Sequence, residues 1–241
     1  MESSEYNMEL RSEPQNIVPE QETTLTLTPQ KPVKLELSHE QKIHLIIVNE
    51  DLSYFNHIHP QESIAGYTVK TTFPASGKFY LFADYKPEGP GQVVSKLEVN
   101  VPGTAPFPAN YTEEKLIGNS GAYSISLVAE QGKFTNGHMM IDGVLEKDGK
   151  EIDPATLDDF LGAKAHVVLI STEDKAYIHA HPEVENGRYK LHASFPNPGI
   201  YRGWIQFQAE GKVHTTDYVI NVVPGQQHIG GGHADALKAH H

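Results

Sequence analysis

The sequence predicts an all-β protein made of two β-sandwich domains in tandem, with one short helix in the second domain. Three observations lead to this prediction. Short runs with the alternation of β-strands recur along the chain, helical patterns are almost absent, and a segment carrying histidines occurs twice. A chain of 241 residues has room for two domains of roughly 100 residues each.

The first domain is predicted over residues 22–102, after a polar segment over 1–21 that is expected to be a disordered leader. Most of its strand-like runs alternate apolar and polar residues. The run over 43–48 is continuously apolar, which is typical of a strand buried on both faces. The other predicted strands lie at 23–28, 33–37, 54–59, 67–72, 79–85 and 93–101.

Residues 103–121 are rich in proline and glycine and predict an interdomain linker. The second domain is predicted over 122–224. It contains the one helical signal, since Asp153 can cap a helix that starts at Pro154. The tail over 225–241 is rich in glycine and histidine and is predicted to be flexible.

Composition narrows the class of function. There are 19 basic against 31 acidic residues, and the net charge of −12 argues against nucleic-acid binding. The absence of cysteine excludes disulfides, thiolate zinc sites and blue-copper centres. No apolar run is long enough to predict a membrane span. The N-terminus lacks signal-peptide features, and we expect it to belong to the mature part of an exported protein.

The repeated segment carries three histidines at the same spacing in both copies. The copies are offset by 122 residues, and most apolar positions differ between them while the histidines do not. Three imidazoles at fixed spacing are typical of a site for a transition metal. Alternatively, the histidines fix a hairpin by hydrogen bonds, and duplication copied them with the fold. The six candidate ligands are His44, His57, His59, His166, His179 and His181.

Strand geometry predicts that the three histidines of a copy share one face of a sheet. His57 and His59 are two residues apart on one strand, so they point the same way. His44 lies on the preceding strand. Pairing of Val48 with Phe55 sets it opposite His59, and a register two residues shorter sets it opposite His57. Directly paired residues share a face, so both registers bring the imidazoles together.

Three neutral imidazoles with an open coordination position suit copper(II), with zinc(II) as the alternative. Pro60 and Pro182 follow the last histidine of each copy. Because proline cannot donate to a ladder, each should end its strand and leave that histidine near the rim of the sheet. A rim position would give an ion access from solvent.

Four aromatic residues occupy equivalent positions in the two copies and are predicted to belong to the cores. They are Phe55 with Tyr177, and Phe82 with Trp204.

An enzymatic function is not expected. In the second copy, Glu185 follows the paired histidines at the spacing of a cupin metal site. The first copy has Ser63 at that position. The sequence contains no serine nucleophile elbow, phosphate loop or dinucleotide fingerprint.

The second half carries LGAKAH, YIHAHP and FPNPG, and on these motifs it resembles bacterial YtkA-like and FixH-like cell-envelope proteins. The first half shares the resemblance through the repeat. This resemblance implies cupredoxin- or immunoglobulin-like sandwiches, often exported or lipid-anchored and often linked to copper handling. The chain lacks the lipobox cysteine of lipid-anchored members.

We therefore expect an extracytoplasmic protein of the periplasm or cell surface that binds copper, or alternatively zinc. It would act as a buffer, carrier or sensor, with one three-histidine site in each repeat. The alternative is a structural or protein-interaction module of the cell envelope that binds no metal. The expected partners are the metal ion and an envelope protein, with no nucleic acid and no membrane span.

Overall fold

The computed structural model describes residues 6–129 and 131–225, and β-strands predominate in that part of the chain, as predicted. Each repeat forms a sandwich of two sheets. The prediction of an all-β protein with tandem sandwiches is confirmed.

In the first sandwich, one sheet contains β1, β2, β7 and β6 in that order. The other contains β3, β8, β4 and β5, with β9 also paired to β8. The strands are β1 (Met8–Glu13), β2 (Glu22–Pro29), β3 (Leu35–Glu36), β4 (Ile43–Asn49), β5 (Phe55–Ile58), β6 (Gln61–Ser63), β7 (Gly66–Thr72), β8 (Gly77–Pro87) and β9 (Val93–Val101).

The second sandwich repeats this plan. One sheet has the order β10, β11, β13, β18, β17, with β14 paired to β13, and the other has the order β12, β20, β19, β15, β16. The strands are β10 (Ile117–Ser120), β11 (Tyr123–Ala129), β12 (Phe134–Thr135), β13 (Gly137–Lys147), β14 (Lys150–Glu151), β15 (His166–Ser171), β16 (Tyr177–Ala180), β17 (Glu183–Glu185), β18 (Arg188–Phe195), β19 (Gly199–Ala209) and β20 (Lys212–Val223).

The prediction that residues 1–21 form a disordered leader is wrong from β1 onward. β1 pairs with β2 along its whole length. Met8 is buried in the first core, Leu10 packs against that core, and Ile17 is buried as well. The segment is mostly polar, so the short alternation of apolar and polar residues in β1 is difficult to recognise from the sequence. Its apolar residues face inward. Residues 1–5 lie outside the described part of the chain.

The predicted linker over 103–121 is too long. Strand β10 pairs with β11, and Lys115 forms a bridge with Val219, so the second sandwich begins before residue 122. Composition predicts a linker here because the prolines and glycines of this segment extend up to strand β10. The predicted flexible tail lies outside the described residues from residue 226 onward.

The predicted helix is a single 3₁₀ turn, Pro154–Thr156. Asp153 caps it as expected, accepting a hydrogen bond from the Ala155 N–H at 2.8 Å. The helix ends there because Leu157 is extended, with φ −77° and ψ 158°, and Asp158 forms a bridge with Gln208. In the described residues, no helix has the length and apolarity needed to cross a membrane.

Strand β4 is continuously apolar because its two faces pack into two different hydrophobic clusters. Leu45 and Ile47 belong to the core of the first sandwich. Ile46 and Val48 point the other way, into a separate cluster with residues of the second repeat that include Val168. The prediction of a strand buried on both faces is confirmed, and its second face packs against the other domain.

The aromatic residues predicted to lie in the cores instead join the two sandwiches. Phe55 stacks on Trp204 with ring centroids 4.6 Å apart, and Phe82 stacks on Tyr177 at 4.7 Å. In each pair, one ring comes from each repeat, and the pairs are equivalent by the internal offset. The two repeats are therefore packed face to face about an approximate two-fold axis. The sequence pattern shows that these positions are buried. It does not show whether a ring packs into the core of its own sandwich or against the other sandwich.

We predict that Phe82 and Tyr177 stabilise the protein as a pair. Phe82→Ala should lower the free energy of unfolding by about 3–5 kcal/mol because it empties a packed site. A double-mutant cycle with Tyr177→Ala, followed by chemical denaturation, should show a coupling of about 0.5–1.5 kcal/mol. Replacement of Phe107, which is fully exposed, is the control and should change little. Additive effects of the two truncations would contradict this packing.

Candidate metal centre

The six predicted histidines meet where the two repeats pack together. His44 and His166 are each 1% exposed, and their ring centroids are 5.5 Å apart. The rings of His57 and His179 are 5.9 Å apart. The sequence predicted one site in each repeat, and the structure brings both sets into one continuous histidine cluster.

The observed strand register is one of the two that the sequence allowed. Val48 pairs with Phe55 and Ile46 pairs with His57, which excludes the shorter register. The second copy has the same register, with Val168 paired to His179. In both copies the histidines share the sheet face that is turned toward the other repeat.

We call His44, His57 and His59 the first triad. His44 Nδ1 and His59 Nε2 each lie 3.1 Å from His57 Nε2. His44 uses its other nitrogen, Nε2, to donate to the carbonyl of Ser38 at 3.0 Å. His57 Nδ1 donates to Gln206 Oε1 at 2.7 Å. With these protons directed outward, the inner nitrogens of His44 and His57 face each other with lone pairs.

His166, His179 and His181 form the second triad, which has the same outward hydrogen bonds but a different inner contact, since His181 approaches His166 whereas His59 approaches His57. His166 Nδ1 is 3.4 Å from His179 Nε2 and 3.0 Å from His181 Nε2. His166 Nε2 donates to the carbonyl of Phe160 at 2.9 Å. His179 Nδ1 donates to Asp84 Oδ2 at 2.7 Å. The inner nitrogen of His166 therefore also carries a lone pair, as does that of His179 in its neutral form.

Each triad is held in place by a residue from the other repeat. Asp84 pairs with His44 across β8 and β4, but its carboxylate reaches over the interface to His179. Gln206 pairs with His166 across β19 and β15, and its amide oxygen reaches back to the first triad. Asp84 and Gln206 are equivalent positions of the repeat.

The spacing of the inner nitrogens fits metal coordination. Zinc and similar ions lie about 2.0–2.1 Å from imidazole nitrogens, which places tetrahedral ligands about 3.4 Å apart. The close contacts within the triads span 3.0 to 3.4 Å. Two groups have ligand atoms that all lie within 4.8 Å of one another, and both include His44. They are His44 with His57 and His59, and His44 with His166 and His179. The histidine groups could thus hold a metal ion.

Burial keeps five of the six imidazoles, those other than His179, in the neutral form that ligation requires. Loss of hydration lowers the pKa of His44 and of His59 to about 4. The same cause lowers the pKa of His166 to about 3 and that of His181 to about 2. The pKa of His57 is held well below its usual range, again mainly by burial.

Sequence reasoning missed three residues of this centre. The ring of His39 stacks on that of His181 with centroids 3.6 Å apart, but Leu161 occupies the equivalent position, so comparison of the copies passed over it. Asp84 and Gln206 were missed because they differ between the copies. The available signal was a polar residue in the middle of a buried apolar strand.

Three further histidines of the described residues lie outside the cluster: His214, which stacks on Phe207, and the pair His138 and His192. His138 and His192 are exposed on neighbouring strands β13 and β18, with ring centroids 5.6 Å apart. They provide matched controls for variants of the triads.

Comparison with protein families shows where the chain belongs. A family described as "Domain of unknown function (DUF8832)" matches residues 1–103 and 119–224, so one segment covers each repeat. The chain belongs to the DUF8832 family. No protein with a curated description matches its sequence. The resemblance to YtkA-like and FixH-like proteins stays a prediction.

Several solved structures share a distant similarity with this DUF8832 chain. Trypsin-activated alpha-2-macroglobulin from Escherichia coli is 11% identical, with a TM-score of 0.29, and the match covers 93% of this chain but only 16% of that protein. A bacterial ice-binding adhesin is 6% identical, with a TM-score of 0.27 and coverage of 93% and 67%. The three N-terminal domains of the outer capsid protein Hoc of bacteriophage RB49 are 10% identical, with a TM-score of 0.25 and coverage of 90% and 59%.

We predict that the metal-free protein loses stability as the pH falls from about 7.5 to about 5. In the unfolded chain, histidine binds a proton near its usual pKa of about 6.5, whereas His44 and His59 in the fold do so only near about 4. Between these values the unfolded state binds more protons, so the free energy of unfolding falls by up to about 1.4 kcal/mol per pH unit for each such histidine.

Chemical denaturation with a chelator present measures this dependence. Replacing His138 and His192 by alanine should leave most of the pH dependence in place, because both are exposed. A stability that stays constant over this range would show that the cluster is not buried in neutral form.

Proposed function

We propose that this protein is an extracytoplasmic metal-binding protein that takes up a divalent transition metal at the histidine cluster. Copper is the proposed metal and zinc is the alternative. The proposed role is that of a buffer, carrier or sensor. The observation that carries the proposal is the contact between His44 Nδ1 and His57 Nε2. The other nitrogen of each ring donates to a fixed acceptor, so these two nitrogens face each other with lone pairs.

A hydrogen bond does not account for the contact between His44 and His57. Between His44 Nδ1 and His57 Nε2 there is no proton to share, since each ring donates its N–H outward. Two lone pairs at 3.1 Å repel each other unless a cation lies between them. A proton is a poor candidate, because burial lowers the pKa values of these rings. A metal ion satisfies both nitrogens at once.

The donor set favours copper or zinc over harder ions. The inner atoms are imidazole nitrogens, which suit copper, zinc and nickel, whereas calcium and magnesium prefer oxygen. A histidine whose outer N–H is held by a carboxylate, an amide or a backbone carbonyl is the usual arrangement around such metals. His59 and His181 are more exposed than His44 and His166, and they mark the side from which an ion can enter.

The surroundings of the triads support uptake and release rather than catalysis. Asp84 and Gln206 already accept hydrogen bonds from His179 and His57, so they orient ligands instead of serving as a free acid or base. The net charge of −12 attracts cations to the protein. The extracytoplasmic location rests on the resemblance to cell-envelope proteins.

The second candidate is a structural module in which the histidines only fix the interface. One observation favours it: His44 and His166 tie their strands to the loops at Ser38 and Phe160 by hydrogen bonds that need no metal. The two candidates differ in whether an added ion binds at the triads.

We predict that zinc(II) and copper(II) bind the full-length chain with micromolar or tighter affinity in calorimetric titrations. In every sample, the tail histidines are first replaced by alanine so that they do not take up metal. These are His228, His233, His240 and His241. Saturating metal should also raise the free energy of unfolding, by about 2.7 kcal/mol at a free concentration 100 times the dissociation constant.

Replacing His44 and His166 together by alanine should weaken binding by more than about 100-fold, because each triad loses its most buried ligand. The matched control replaces the exposed pair, His138 and His192, and should bind as before. If the unaltered triads take up no ion, the metal hypothesis is wrong and the structural module stands.

A further inference from the structure

We propose that the two triads form one coupled and unequal centre. The first divalent ion binds His166 and His179 of the second triad, which Asp84 supports, together with His44, and a second ion binds the first triad far more weakly. This inference rests on the proposed metal binding and adds the order and coupling of the two sites.

The coupling follows from the closeness of the triads. One nitrogen each of His44, His166 and His179 lies within 4.8 Å of the others, although His44 belongs to the first triad. The ring of His57 is also only 5.6 Å from that of His166. Two ions, one in each triad, would therefore be separated by a few ångströms.

At such a distance charge repulsion decides the stoichiometry. Two unit charges about 4 Å apart near a protein surface repel strongly enough to weaken binding by about 1,000-fold, and for two divalent ions the repulsive energy is four times larger. Solvent and bound hydroxide offset part of this repulsion. We expect the second divalent ion to bind at least about 100-fold more weakly than the first.

The order follows from the difference between Asp84 and Gln206. Asp84 is 3% exposed and gives the second triad a carboxylate behind His179, whereas the first triad has a neutral amide behind His57. A carboxylate acceptor makes an imidazole a stronger ligand and places a negative charge beside the ion. Gln206 is itself held by the Thr215 hydroxyl at 3.0 Å, so its oxygen stays directed at His57.

The charged and titratable groups that face Asp84 are few. Its carboxylate accepts hydrogen bonds from His179 and from the side chain of Gln92, and it pairs in the sheet with His44. Among the described residues, no lysine or arginine forms an ion pair with it. Its charge is therefore directed toward the histidine cluster.

The test is a titration of the full-length chain with zinc(II), again with the tail histidines replaced, by calorimetry and by competition with a chelator. Two repeat-equivalent variants locate the ions. His179→Ala should remove the tight ion and leave the weak one, and His57→Ala should do the reverse. Asp84→Asn should weaken the first ion by about 10–100-fold. Gln206→Ala should leave the affinity of the first ion nearly unchanged.

Exchange of the two supporting residues gives a sharper test. In the double variant Asp84→Gln with Gln206→Asp, the tight ion should move to the first triad, so that His57→Ala rather than His179→Ala removes it. Titration with silver(I) tests the repulsion. For monovalent ions, the gap in affinity between the first and the second bound ion should be much smaller than for zinc(II).

Two zinc ions of equal affinity, or equal effects of His57→Ala and His179→Ala, would overturn this inference while leaving the proposed function intact. Equal gaps for silver(I) and zinc(II) would also overturn it. If no ion binds at all, the proposed function itself fails, so the two failures are distinguishable.

Discussion

Two equivalent sheet faces are packed against each other, and this arrangement determines which side chains meet in the centre of the molecule. The faces are related by an approximate two-fold axis. Side chains on one face therefore contact side chains of the other repeat. Phe82 therefore meets Tyr177, and Asp84 meets His179 instead of the adjacent His44. The apolar and aromatic part of the interface keeps water away from His44, and this burial lowers its pKa.

The loops before β4 and β15 complete this arrangement by presenting a carbonyl to the central histidine of each triad. Both loops use left-handed backbone, at His39 and Glu40 in the first repeat and at Leu161 in the second. Such conformations cost free energy in residues other than glycine, and they persist where the surrounding structure fixes them. Here they direct the Ser38 and Phe160 carbonyls at the outer nitrogens of the rings.

Much of the fold and of the ligand set could be predicted from the sequence, because periodicity and spacing are local properties. The alternation of strands gave the all-β class, and parity of the strand register put His44 on the same face as His57 and His59. Parity does not say whether that face turns to the core of its own sandwich or to another domain. For that reason the packing of the repeats, and with it the merging of the triads, could not be predicted.

The same limit explains the other differences. Comparison of the copies finds residues that are kept, so it cannot find Asp84 and Gln206, whose role depends on contact across the interface. The strand β1 escaped notice because only Met8 and Leu10 mark it, in a segment that is otherwise polar. The capping signal at Asp153 was correct for one turn, but the following residues take the conformation that the loop beside His166 requires.

The joining of two repeats in one chain has a consequence for symmetry. In a dimer of identical chains, an isologous interface places the same residue at both equivalent positions, so a carboxylate on one side brings a carboxylate on the other. A single chain with two internal copies is free of this requirement. The positions of Asp84 and Gln206 can therefore differ in charge while the backbone frame around them stays the same, and a symmetric architecture can carry an asymmetric centre.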